Sequence, residues 1–197
     1  MTHLKHDLQI QALLGDYAAG RRQPLDTLAQ LHRYALETRH LNVWITLLDW
    51  EAIEEQFEDV EERRAAGIAL PLYGIPFAIK DNIDLEGVRT TAGCPTYGDV
   101  ATQSAPVVSR LIDAGAIALG KTNLDQFATG LVGTRSPYGA CGSAFDPDYI
   151  SGGSSSGSAL SVALGLVSFA LGTDTAGSGR VPAALNNLVG SSPRAVC

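Results

Sequence analysis

Apolar residues recur at helical spacing in two stretches of the first third of the chain. Residues 25–38, LDTLAQLHRYALET, place Leu25, Leu28, Leu31 and Ala35 on one face, and 50–66, WEAIEEQFEDVEERRAA, repeat the pattern with Ile53, Phe57 and Val60. Two amphipathic helices are predicted there. Between them, 41–48 (LNVWITLL) is β-branched and aromatic enough to form a strand. After Gly74 comes the short apolar run GIPFAIK, then a helix candidate at 104–114 and a strand candidate, AIALG, at 116–120. Strand, helix, strand in that order predicts an α/β fold. The longest apolar stretch, 159–172 (ALSVALGLVSFALG), is shorter than the roughly 20 residues that cross a bilayer. It is read as a buried helix over 159–171. Residues 130–157 are dense in Gly, Ser, Pro and Asp, a long loop of the kind that carries function.

Charge sharpens this picture. Nineteen of the thirty-five charged residues lie in 1–70 and only six in 126–197, so the chain runs from a solvated face into an interior. A formal charge of −7 supplies no basic surface for a phosphate backbone, which argues against nucleic acid as a partner. Cys94, Cys141 and Cys197 are odd in number and widely spaced, with no CxxC pair, so neither a disulfide framework nor a thiolate metal site is expected. The first residues, MTHLKHDLQI, lack the pattern of a secretory signal. A cytoplasmic protein that uses no membrane is the expectation.

Two signals point to chemistry that the context does not support. GAIALGKT at 115–122 satisfies a phosphate-loop pattern, but a helix pattern precedes Gly115 and the interior is the apolar run of a buried strand. A Ser-His-Asp centre would need a histidine, and His3, His6, His32 and His40 all lie within the first forty residues, far from the serine-rich loops. The same distribution argues against a histidine metal site, and no cofactor is expected.

A serine nucleophile then needs another base, and the chain has three lysines, Lys5, Lys80 and Lys121. Lys80 ends the apolar run GIPFAIK, so desolvation could bring its pKa toward neutrality; a surface lysine paired with Asp81 is the alternative. Two small-residue loops stand beside helix candidates. SGGSSSGS spans 151–158, and GTDTAGSGRVP, 172–182, presents Ser178 beside consecutive backbone donors able to hold an oxyanion.

GIPFAIKDN, TTAGCP, ALGKTNLDQF, GGSSSGSA and GTDTAGSGRVPAA, in this order between about residue 70 and Gly190, resemble the amidase signature family. The resemblance implies the N-terminal portion of that family's α/β fold, a mixed β-sheet core covered by helices, and a Ser-cisSer-Lys triad. Ser178 would be the nucleophile, Ser154, twenty-four residues earlier, the bridging serine after a cis Gly153–Ser154 bond, and Lys80 the base. The N–H groups of Thr175, Ala176, Gly177 and Ser178 would form the oxyanion hole, and Ala128 would line the acyl pocket. Lys121 would anchor packing around the loops. Within the family, QFATGLVGTRSPYG and the serine replacing a glycine in GGSSSGSA resemble the allophanate hydrolase branch. That implies a small-molecule amide substrate, hydrolysed to ammonia and carbon dioxide in urea degradation, and leaves a homodimer open for the full-length form. Another small amide, or an inactive remnant, is the alternative.

The expected division is an N-terminal helical region at 1–66, an incomplete amidase signature domain at 67–190 and an aberrant tail at 191–197. One set of codons that encodes the final SPRAVC, AGC CCA CGC GCG GTC TGC, gives KPTRGL, a segment like the family's, when it is preceded by one A and read one base earlier, so a frameshift is the expectation there; a genuine short protein with an unrelated tail is the alternative.

Overall fold

The computed structural model describes residues 7–146 and 148–192. Ten elements follow one another: α1 (Ile10–Ala18), α2 (Pro24–Glu37), β1 (Trp44–Leu47), α3 (Trp50–Ala65), β2 (Pro76–Lys80), α4 (Pro106–Asp113), β3 (Ile117–Thr122), α5 (Ser156–Ala163), β4 (Phe169–Leu171) and α6 (Arg180–Leu185). The strands form one mixed sheet in the order β1-β3-β2-β4, with β2 parallel to both β3 and β4, and β1 antiparallel to β3. The predicted α/β architecture is what the chain adopts.

Period-two alternation in β2 and β3 divides the core between the sheet's two faces. Ala78, Ile117 and Leu119 join Leu13, Leu28, Leu31, Ile53, Phe57 and Val60 under α1–α3. Phe77, Ile79 and Ala118 point the other way, toward Val108 of α4. Both central strands are buried along their whole length, as expected of parallel strands covered on both sides. Local chemistry sets the helix starts: Pro24 occupies the first turn of α2, and the Asp49 carboxylate caps α3 by accepting the Ala52 N–H at 2.9 Å. Gln56 of α3 acts as a surrogate strand residue. Its amide donates to the Ala118 carbonyl at 3.1 Å and accepts the Ala118 N–H at 3.0 Å, satisfying β3 where its ladder is irregular. Gly120 lets β1 approach: a Cβ there would run into the Thr46 carbonyl oxygen.

The structure departs from the sequence reading chiefly in its helices. The helix expected over 159–171 ends at Ala163, because Gly165 turns the chain at φ +68° and Phe169–Leu171 are drawn into pairing with β2. Helices α1 and α6 were not anticipated. Across residue 66, β1 is hydrogen-bonded to β3, and α2 and α3 share one core with β2 and β3. Residues 193–197 of the expected tail lie outside the described residues, as do His3 and His6. GAIALGKT forms a buried strand and not a phosphate loop. No helix among the described residues is long and apolar enough to cross a membrane.

Candidate active site

Lys80 is the last residue of β2 and is completely buried. Alternation sends its side chain to one side of the sheet, while Asp81 shares the other side with Lys121. Asp81 therefore does not pair with Lys80. Its carboxylate lies 3.0 Å from Lys121 Nζ, with both side chains fully buried, and accepts the Thr91 N–H and hydroxyl; Lys121 also donates to Thr90 Oγ1 at 2.9 Å. Lys121 thus ties β3 to the 90–91 loop, the packing role expected of it.

Free of a carboxylate partner, Lys80 Nζ makes two hydrogen bonds, each 2.7 Å long, to Ser154 Oγ and to Thr173 Oγ1. Burial lowers the Lys80 pKa from 10.5 to about 8, against the opposing charges of Asp125 and Asp174. A substantial neutral fraction near physiological pH follows. Ser154 is fully buried and follows a cis Gly153–Ser154 peptide. The Asp125 N–H donates to the Ser154 carbonyl at 3.2 Å, and the Asp125 carboxylate accepts the N–H groups of Val132, Gly133 and Arg135 at 2.9–3.1 Å. One side chain thereby fixes the 130–135 loop to the serine loop.

The second loop is drawn in by Ser155, whose N–H donates to the Ser178 carbonyl at 3.0 Å and whose hydroxyl donates to the Thr173 carbonyl at 3.2 Å. Ser178 is 7% exposed, and its hydroxyl makes no hydrogen bond among the described residues. Lys80 and Ser154 are in direct contact, whereas Ser178 is brought alongside through its main chain. Asp174 organises the loop before Ser178: it accepts the Gly177 N–H at 2.7 Å, the Arg180 N–H at 3.0 Å and two guanidinium bonds at 2.9 and 3.0 Å. Arg180 holds its carboxyl well below the usual carboxylate range. The Gly177 N–H is thus already committed, which narrows the four expected oxyanion donors to Thr175, Ala176 and Ser178. These three have no acceptor among the described residues.

Ala128 sits on a single turn, Gln126–Ala128, where Phe127 and Ala128 take φ +53° and +56°. Non-glycine residues in that region store strain, here held by the Phe127 N–H on the Ala92 carbonyl and the Ala128 N–H on the Asp125 carbonyl, both 2.8 Å. The turn is connected to Ser154 through Asp125, but Ala128 itself makes no hydrogen bond to Lys80, Ser154 or Ser178. A groove of about 540 Å³ lies behind Thr173 and Asp174, against β4 and α6; it is lined by neither Lys80, Ser154 nor Ser178. Sequence reasoning overlooked Thr173, Ser155, Asp125 and Asp174. Their place inside the quoted motifs was the only available signal, since each acts through contacts made in three dimensions.

Comparisons with known proteins show the family. The family model described as Amidase matches residues 27–195. The urea amidolyase of Saccharomyces cerevisiae is 58% identical over 152 residues, covering 77% of this chain and 8% of that protein. A glutamyl-tRNA(Gln) amidotransferase subunit from Azoarcus sp. (strain BH72) is 47% identical over 164 residues, covering 83% and 34%. Among solved structures, selenomethionine-substituted Kluyveromyces lactis allophanate hydrolase superposes with a TM-score of 0.78 at 47% identity, over 89% of this chain and 29% of that one. The chain thus spans about a third or less of the length of each.

Proposed function

Because the chain belongs to the amidase family, we propose that Lys80, Ser154 and Ser178 form the relay of an amidohydrolase whose substrate is allophanate. The observation that carries this reading is the buried 2.7 Å contact between Ser154 Oγ and a lysine whose pKa is lowered to about 8. A buried amine that is partly neutral at physiological pH can act as a general base, and the Ser154 hydroxyl lies within hydrogen-bond reach of it.

Ser178 Oγ attacks the amide carbonyl and gives its proton to Ser154 Oγ, whose own proton passes to Lys80 Nζ. The developing oxyanion is held by the N–H groups of Thr175, Ala176 and Ser178. Collapse returns the proton from Lys80 through Ser154 to the leaving nitrogen, and ammonia departs. Water then enters by the same relay, frees Ser178 and releases the remaining acyl group, which breaks down to carbon dioxide and ammonia. Similarity to urea amidolyase and to allophanate hydrolase supports the choice of substrate.

The test is ammonia release by the purified chain from allophanate, set beside acetamide and glutamine at equal concentration. Preference for allophanate by at least a hundredfold in kcat/KM is expected. Equal turnover of all three would replace the reading with that of a general small-amide hydrolase, and no turnover of any would overturn it for this chain.

A further inference from the structure

We propose that Thr173 and Asn82 form an arm that holds the Lys80 amine with its lone pair toward Ser154, which makes both of them positioning residues of the serine relay. This rests on Lys80 being the base, as proposed above. A neutral amine carries two N–H donors and one lone pair. To take a proton from Ser154, the lone pair must face Ser154 Oγ, so an N–H has to find its acceptor elsewhere. Thr173 Oγ1 lies 2.7 Å from Lys80 Nζ, the same distance as Ser154 Oγ, and offers that acceptor.

Thr173 is fixed from two directions. Its main chain exchanges two bonds with Ser155 Oγ, accepting at the carbonyl (3.2 Å) and donating from the N–H (3.3 Å). Its hydroxyl oxygen also accepts a bond from Asn82 Nδ2 at 3.2 Å. Asn82 lies two residues beyond Lys80. Its Oδ1 is buried and has no partner among the described residues, so the amide is tied to its surroundings through Thr173 alone.

The charged groups acting on Lys80 are Asp125, just after β3, and Asp174, in the loop before α6; the Asp81–Lys121 pair lies on the opposite side of the sheet. Both carboxylates favour the ammonium, so the arm's task is orientation and not charge compensation. Removing the Thr173 hydroxyl takes an acceptor from the ammonium more than from the amine, and the lysine should then titrate at lower pH. Activity should fall at the same time, because the lone pair is no longer held on Ser154. A residue that acted only by raising the lysine's pKa would, on removal, increase activity at acid pH, and a residue that only supported the fold would leave the titration unmoved.

The chain has three lysines, so ¹³Cε-lysine labelling yields three signals, and that of Lys80 is identified by its absence in Lys80→Met. Wild type should titrate near pH 8. Thr173→Val should titrate about one unit lower with allophanate turnover at its plateau reduced about tenfold, and Thr173→Ser should restore the titration. Asn82→Ala should give a smaller change in the same directions and add nothing in the Thr173→Val background. The proposal is overturned if Asn82→Ala leaves the Lys80 titration unchanged or acts equally with and without the Thr173 hydroxyl. Should Thr173→Val fail to fold, Thr173→Ser and Asn82→Ala decide alone. If the wild-type chain turns over no amide, the functional reading fails while the titration still decides whether the arm exists.

Discussion

Asp81 follows Lys80 directly in the chain yet pairs with Lys121 on the neighbouring strand, 3.0 Å away. The pairing follows from the pleat, because adjacent residues leave a strand on opposite sides and the parallel register sets Ile79 beside Lys121 and Lys80 beside Thr122. Two buried lysines are thereby given different fates. Lys121 is neutralised by a carboxylate and stays structural, whereas Lys80 meets only hydroxyls and is free to lose its proton.

The pair can be tested by breaking it. Asp81→Ala strands a buried ammonium and should cost about 3–5 kcal/mol in urea unfolding. Asp81→Asn with Lys121→Met, which removes both charges, should recover most of that. A single mutant within about 0.5 kcal/mol of wild type would show that the pair does not hold the loops.

For Ser178→Ala the expectation is loss of allophanate hydrolysis by at least about 10³-fold, with the Lys80–Ser154 contact and the circular dichroism spectrum intact. Turnover near the wild-type rate in that variant would remove Ser178 from the mechanism.

The pH dependence has a definite sign. The relay needs neutral Lys80, and its pKa is lowered to about 8, so kcat/KM should rise about tenfold per unit between pH 6 and 7 and level off above about pH 8. A flat profile from pH 6 to 9 would make the lysine a bystander.

Much of this was legible before any coordinates. The helices carrying Leu28, Leu31, Ile53 and Phe57 show their period openly, and GIPFAIK reads as the strand that delivers Lys80. The sequence left two partners open for that lysine. Asp81 stands next to it in the chain, and only strand register reveals that Lys121 takes Asp81 instead. Phe169–Leu171 read as helix because an apolar run without polar positions has no period, and it became strand only because β2 offered an unpaired edge. Thr173 and Asp125 were hidden for the same reason. Their importance lies in what they touch across ninety-three residues, as with Lys80, or across twenty-nine, as with Ser154.

The two described cysteines should differ in reactivity. Burial pushes the Cys141 thiol up to about 12, whereas the hydrogen bond from Thr96 lowers that of the more accessible Cys94. Iodoacetamide at pH 7.5 followed by peptide mapping should find Cys94 modified and Cys141 untouched until denaturant is added. Equal labelling of both in the native protein would contradict the buried placement of Cys141.

Gly153→Ala examines how tightly the serine loop is held. A Cβ at this position would collide with Asp125 Oδ2 and lie 2.6 Å from the Gly133 amide nitrogen. Oδ2 is the atom that accepts the Val132 and Gly133 N–H groups, so the carboxylate cannot yield without breaking both bonds, and the backbone behind it cannot retreat. The clash must be relieved by moving either the 130–135 loop or Ser154, and each movement disturbs the Asp125 N–H contact with the Ser154 carbonyl. We expect allophanate turnover to fall at least a hundredfold and stability to fall by about 1–3 kcal/mol. Gly15→Ala in α1 is the control, because a Cβ there meets nothing within 4 Å and helix propensity alone should stabilise the chain by up to about 1 kcal/mol. Asp125→Ala combined with Gly153→Ala separates sterics from chemistry: it removes the collision with the carboxylate, leaving only the approach to the Gly133 nitrogen, and should regain part of the stability lost in Gly153→Ala, but it leaves three amides without their acceptor and should stay inactive. Turnover within a few-fold of wild type in Gly153→Ala would mean that the loop has room to move and that Asp125 does not fix the bridging serine.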